Sequence, residues 1–257
     1  MSLEGTDLDK LALSTEKLLA GTDSEITTVG YYCNPIQYAE HRKTLENVIC
    51  TAGKFGATHV STFAGAWEGK PVEYAYEEFG KVFRELADLA EEKGVKLGIE
   101  NCLMDGTWEH ATCNIGFNPK AWEVMFEEVK NDNFGLEWEP THQMVQLIDP
   151  VTELRKWCKK IVHIHGKDAT IDWDAVRHSG ISGAVPLVWH RMPGFGDTNW
   201  RDIISILRSN GYEDDICIEG YHDPVYSGEL EMTGQLHALN YLKWCRGGDF
   251  TQTPWEK

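Results

Sequence analysis

Long apolar runs, basic charge and glycine-rich nucleotide motifs are what this sequence lacks. No window approaches the ~18 consecutive apolar residues needed to cross a bilayer, so no membrane partner is expected. Lysine and arginine number 24 against 41 aspartates and glutamates, a formal net charge of −17. A field of that sign repels polyanions and argues against nucleic acid as a partner. It leaves room for a small phosphorylated ligand wherever a local Lys or Arg outweighs it. No strand-like run is followed by G-x-G-x-x-G or G-x-x-x-x-G-K-[ST], so the fingerprints of the nucleotide-binding folds are missing. There is no C-x-x-C pair either. Cys33, Cys50, Cys102, Cys113, Cys158, Cys217 and Cys245 are dispersed and odd in number, and no apolar leader pattern opens the sequence. That usage predicts reduced, mostly buried thiols in a cytoplasmic protein.

What is present is strand–helix alternation. The 257 residues suffice for one large α/β domain with a sizeable core. Apolar β-type runs occur at 26–33, 58–65, 95–102, 133–139, 160–167 and 215–222. Helical patterns separate them. In "YAYEEFGKVFRELADLAEEKG", Phe79, Val82, Phe83, Leu86, Leu89 and Ala90 recur at helical spacing before Gly94. Pro119 and Pro150 open two further helices, and "EHRKTLENVICTAGKFG" ends on a glycine suited to a C-cap. Crossover-length helices between strands imply a parallel sheet. A closed (β/α)8 TIM-type barrel fits best, with chemistry at the C-terminal ends of its strands. A complete barrel needs eight strands and six are legible, so the first one or two are expected to be lacking. A barrel gap leaves sheet edges that pairing in a homo-oligomer would cover. Residues 169–189 read as a long irregular connection, an active-site loop.

Four of the strand-like runs end in the same kind of polar group. "GIEN" places Glu100 at one exit, and "LEWEPTH" places Glu139 there with His142 three residues on. "VHIHGKD" gives His163 and His165 on one face, and "CIEG" gives Glu219. In a parallel barrel these ends converge. Carboxylates brought together in a low-dielectric mouth repel one another by several kcal/mol unless a cation or protons neutralise them. One divalent ion would do so, and carboxylate oxygens with an imidazole suit Mn²⁺, Mg²⁺, Co²⁺ or Zn²⁺ alike. The bland alternatives are a buried ion pair for Glu100 and Glu219, a hydrogen-bonded core histidine for His163, and a local salt bridge for Lys167–Asp168. Glu137, on the same face as Glu139, reads as structural. His222 and Asp223 read as loop residues that could also touch a ligand.

The stretches "GIENCLMDGTWEHATCNIGFNPKAWEVMFEEV", "NFGLEWEPTHQMVQLIDPV", "IVHIHGKD" and "RMPGFGDTNWRDIISILRSNGYEDDICIEG" together resemble the xylose isomerase-like TIM-barrel family of sugar isomerases and epimerases. The resemblance implies a single domain over 1–257. It implies metal ligands at Glu100, Glu139, His165 and Glu219, and catalytic proton transfer by Glu100 and Glu219 through a cis-enediolate. It also implies substrate contacts at His142, Lys167 and Arg191. The family's Asp-Pro-Ser-His is here Glu139-Pro140-Thr141-His142, one methylene longer at the ligand. The implied activity is that of a metal-dependent isomerase or epimerase of a sugar or sugar phosphate. The alternatives are a metal-dependent dehydratase of a polyol-derived ketone on the same scaffold and a truncated, non-catalytic relative. An abasic-site endonuclease would need more histidines and a basic DNA-binding face.

Overall fold

A computed structural model describes residues 6–183 and 186–248. Its backbone groups into two compact units. One comprises the chain up to Trp138 together with Lys160–Ile164, the other Glu139–Lys159 and the chain from His165 onward.

The first unit holds α1 (Leu8–Leu19), β1 (Thr28–Gly30), α2 (Ala39–Thr51), β2 (His59–Thr62), α3 (Tyr76–Glu92), β3 (Lys96–Glu100), α4 (Pro119–Glu128) and β4 (Phe134–Trp138). It also holds most of β5 (Ile161–Gly166). The strands pair in chain order, all parallel, with Val29 opposite Val60, Val60 opposite Leu97 and Ile99 opposite Leu136. Between β4 and β5 the register shifts at Leu136/Glu137, so Glu137 faces His163. Every residue of β4 is buried, as in a parallel sheet covered on both faces. Helix α3 buries Phe79, Val82, Phe83, Leu86, Ala87 and Ala90, the stripe its periodicity predicts. The Phe79 and Phe83 rings stack at 4.6 Å and both approach Phe134. Each large side chain so buried contributes about 1.5–3 kcal/mol. Helix α2 stops at Thr51, earlier than its pattern suggested. A 3₁₀ turn over Ala52–Phe55 follows, and Gly56 at φ 83 takes the left-handed step that ends it.

The second unit holds α5 (Thr141–Val145), α6 (Pro150–Trp157), the end of β5, β6 (Asp168–Ile171), α7 (Trp173–Ser179), β7 (Val188–Arg191), α8 (Trp200–Ser209), β8 (Ile216–Ile218) and α9 (Glu231–Cys245). Strand β8 neighbours β5, and the Glu219 N–H donates to the Gly166 carbonyl at 3.1 Å. Asn118 and Asp149 cap α4 and α6, each with proline next in the chain.

The six strands read from periodicity are all present. The stretch expected to be irregular, 169–189, carries regular elements among its described residues. Strands β6 and β7 form an antiparallel pair, Asp168 opposite Arg191 and Thr170 opposite Trp189, with α7 between them. Helix α7 buries none of its residues, so it carries no apolar stripe for a helical period to show. Asp172 caps α7 by accepting from the Ala175 N–H at 2.8 Å. Beyond β7, two aspartates brace the chain. Asp168 accepts from the N–H groups of Ala169, Gly194 and Thr198 at 2.8, 3.0 and 2.9 Å. Asp223 accepts from those of Met192, Val225 and Tyr226 at 2.7, 2.8 and 2.8 Å.

Candidate metal centre

In the second unit the chain leaves β4 and turns at Pro140 into α5. Residues three apart lie on one face there, and His142 Nε2 sits 2.7 Å from Glu139 Oε1. Two elements on, the end of β5 presents His165, and Lys167 follows it. The residue after β8 is Glu219. These side chains meet. His165 Nδ1 lies 3.7 Å from Glu139 Oε2 and 3.1 Å from Glu219 Oε2. Lys167 Nζ lies 2.7 Å from Glu219 Oε1 and 3.9 Å from Glu139 Oε1. Glu139 and Lys167 are buried, and the Glu219 side chain is 27% exposed.

The electrostatics follow from burial and neighbours. Burial alone would raise the Glu139 carboxyl. The charges of His142 and Lys167, with hydrogen bonds from His142 and His165, overcome it and hold Glu139 well below the usual carboxylate range. Glu139 is therefore ionised at neutral pH. Glu139, His165 and Glu219 each offer a ligand atom, and these atoms lie within 4.8 Å of one another. Glu219 Oε2 is buried and, despite its 3.1 Å approach to His165 Nδ1, accepts no hydrogen bond among the described residues. Two carboxylate oxygens and an imidazole nitrogen aimed at one point, one oxygen not otherwise used, fit a divalent cation.

The remaining predicted residues fall as follows. Glu100 is buried at the last position of β3 in the first unit, opposite Glu137 in the ladder. Asn114 Nδ2 donates to its carbonyl at 2.9 Å. His142 lies against Glu139. Arg191 Nε donates to Asp223 Oδ2 at 3.3 Å, and its guanidinium lies 5.9 Å from the Phe195 ring.

Also in the first unit, Glu137 accepts from the Tyr32 and Ser61 hydroxyls at 2.9 and 2.5 Å. His163 Nε2 is 3.8 Å from Glu137 and its Nδ1 is 3.4 Å from Thr28 Oγ1. The two hydroxyls satisfy Glu137 inside its strand, and Thr28 Oγ1 is a hydrogen-bond partner in reach of His163.

Sequence reasoning missed His190. It stands on β7 with its ring centroid 5.9 Å from that of His142 and 5.6 Å from that of His222, edge-on to both. A lone histidine in "VWHR" carries no periodic or motif signal. All seven cysteines are free, and burial pushes the Cys33 thiol up to about 12. No helix among the described residues is long and apolar enough to cross a membrane.

The family model for the xylose isomerase-like TIM barrel matches residues 6–243, and the chain belongs to that family. Among curated proteins it is similar to inosose dehydratases. It is 27% identical over 182 residues to that of Clostridium tetani, covering 69% of this chain and 57% of that protein. It is 22% identical over 227 residues to that of Clostridium perfringens (strain ATCC 13124), covering 85% and 73%. Among solved structures, an IOLI protein with a binding zinc atom aligns at TM-score 0.70 and 21% identity, over 97% of this chain and 85% of that one. An L-ribulose 3-epimerase aligns at TM-score 0.66 and 16% identity, over 96% and 83%. At such identities the structural likenesses establish the fold.

Proposed function

We propose that the chain is a metal-dependent lyase that removes water from a polyol-derived ketone of the inosose type. The convergence of Glu139, His165 and Glu219 on one point carries the metal-dependent part of this reading. The preference for dehydration over isomerisation or epimerisation rests on the curated relatives, which are inosose dehydratases. Glu139, His165 and Glu219 would hold the ion, with Glu100 as fourth ligand on the sequence resemblance. Such an ion, when bound, polarises a carbonyl and acidifies the neighbouring C–H.

The residues supply the rest. Glu219, the most exposed of the cluster, takes the proton from the carbon beside the carbonyl. Lys167, bonded to its other oxygen at 2.7 Å, holds that carboxylate in place. His142 hydrogen-bonds a substrate oxygen while Glu139 fixes its ring. The electron pair left on carbon forms the new C=C bond, and the β-hydroxyl departs as water with a proton from the second carboxyl, Glu100. An isomerase or epimerase would share the first step and return the proton to carbon instead.

The test is a panel of inososes and ketoses, with and without Mn²⁺, Mg²⁺, Co²⁺ or Zn²⁺, in deuterated water. A product lighter by one water, absent in Glu219→Gln, supports the lyase. Deuterium gained without loss of water shows the epimerase. No conversion with any of the four ions overturns both and leaves a metal-binding relative without turnover.

A further inference from the structure

Beyond the ligand cluster, three imidazoles form a row in the second unit. His142 lies against Glu139 and is buried, His190 is half-buried, and His222 is exposed. Successive ring centroids are 5.9 and 5.6 Å apart, with interplanar angles of 71° and 72°. His190 Nδ1 is buried and has no hydrogen-bond partner among the described residues. An imidazole nitrogen left this way is costly unless something else meets it.

His222 adds an independent sign. Its φ is 72°, the left-handed region that costs a non-glycine residue stability and is retained where function requires it. The residue lies past the end of β8, where this family of folds places its chemistry, and its ring packs at 3.9 Å on Tyr221.

Charge decides what such a row would recognise. Lys167, whose charge acts on His190, and Arg191, the next residue in the chain, are both paired, Lys167 with Glu219 at 2.7 Å and Arg191 with Asp223 at 3.3 Å. Each faces a carboxylate that offsets its charge, which weakens its pull on a phosphate or carboxylate. Burial, together with the Lys167 charge and that of His142, pushes His190 down to about 4, so its ring is neutral in the physiological range. A neutral imidazole offers one donor and one acceptor. Each hydroxyl of a polyol also offers both.

We infer that His190 and His222 are specificity-determining residues that grip the hydroxyls of an uncharged polyol. The inference rests on the proposed reading of the metal cluster and adds to it a contact set outside the predicted ligands. With these contacts the enzyme selects polyhydroxylated ketones over their phosphorylated or deoxy analogues. A site built to pair a hydroxyl rejects the analogue lacking it far more strongly than an apolar pocket rejects a methylene.

The experiment uses the metal-loaded protein and two probes, the best ketone of the panel for kinetics and its non-reacting parent polyol for calorimetric binding. In His190→Ala, KM for the ketone and Kd for the polyol should both rise roughly 10- to 100-fold, with kcat changed far less and bound metal unchanged. His222→Gly should raise KM in the same direction while Tm increases, because glycine relieves the left-handed backbone. Unchanged KM and Kd in both variants, in a protein that turns the ketone over, overturn the inference and leave the lyase standing. Loss of metal in His190→Ala overturns it in favour of a purely structural role. A parent protein that neither binds nor converts any polyol ketone overturns the inference together with the reading beneath it.

Discussion

Lys167 Nζ lies 2.7 Å from Glu219 Oε1, and the lysine is buried. It is also 3.9 Å from Glu139, so one ammonium stands against two carboxylates that a divalent ion would share. Removing one partner of a buried ion pair costs about 3–5 kcal/mol, because the other is left uncompensated. Lys167→Met should therefore lower Tm sharply in metal-free protein. Added Mn²⁺ or Zn²⁺ should restore more of that loss than it adds to the parent, since the ion then supplies the missing positive charge. Thermal unfolding with and without chelator reads both. Equal metal-induced shifts in parent and variant would refute the shared electrostatics.

Glu139 is fully buried and held ionised by His142, Lys167 and His165. Glu139→Gln keeps its shape and removes its charge. Loss of a residue merely supporting a metal ligand costs roughly 10- to 100-fold in affinity, and a direct ligand should cost more. Competitive metal titration measures it. Glu137→Gln, at a carboxylate bonded to Tyr32 and Ser61, should instead lower stability and leave metal affinity within about that supporting range.

His190 is pushed from its ordinary 6.5 to about 4, burial being the largest cause. Between those two values the unfolded chain takes up a proton that the folded chain refuses. The stability tied to the neutral ring is complete above pH 6.5 and is lost as pH falls toward 4. Because the ring is only partly buried and solvent screens it, the loss by pH 5 is about 1 kcal/mol rather than the full linkage value. Urea unfolding should show a larger decrease from pH 7 to pH 5 in the parent than in His190→Gln.

A Cβ at Gly196 would collide with the Asp168 carboxylate and the Ala169 carbonyl. Asp168 holds the Gly194 and Thr198 N–H groups, so Gly196→Ala pushes on the brace that fixes the chain after β7. Overpacking of this kind costs about 1–3 kcal/mol, and the segment should become a preferred site of limited proteolysis. Gly53→Ala, where nothing lies within 4 Å, should leave Tm near or slightly above the parent's value.

Much of this was legible in the chain. The six parallel strands announce themselves because each is a short apolar run between helices long enough to show a 3.6-residue period. Glu100, Glu139, His165 and Glu219 stand out because a charged residue closing a buried strand needs a reason. The β6–α7–β7 arm did not show, since its strands of four residues and helix of seven carry no buried apolar stripe, with every residue of α7 at least partly exposed. Lys167 and Arg191 read as substrate contacts, with a local Lys167–Asp168 salt bridge as the bland alternative, and their pairing with Glu219 and Asp223, 52 and 32 residues away along the chain, was not readable.

The sequence by itself determined which residues are expensive to bury and where the strands place them, because hydrophobic period and charge are local properties of the chain. Only the tertiary structure decided which of those charges neutralise one another and which imidazoles stand side by side. Ion pairs and ring contacts depend on distances of 3–6 Å between residues far apart in sequence, and nothing in a linear pattern encodes them.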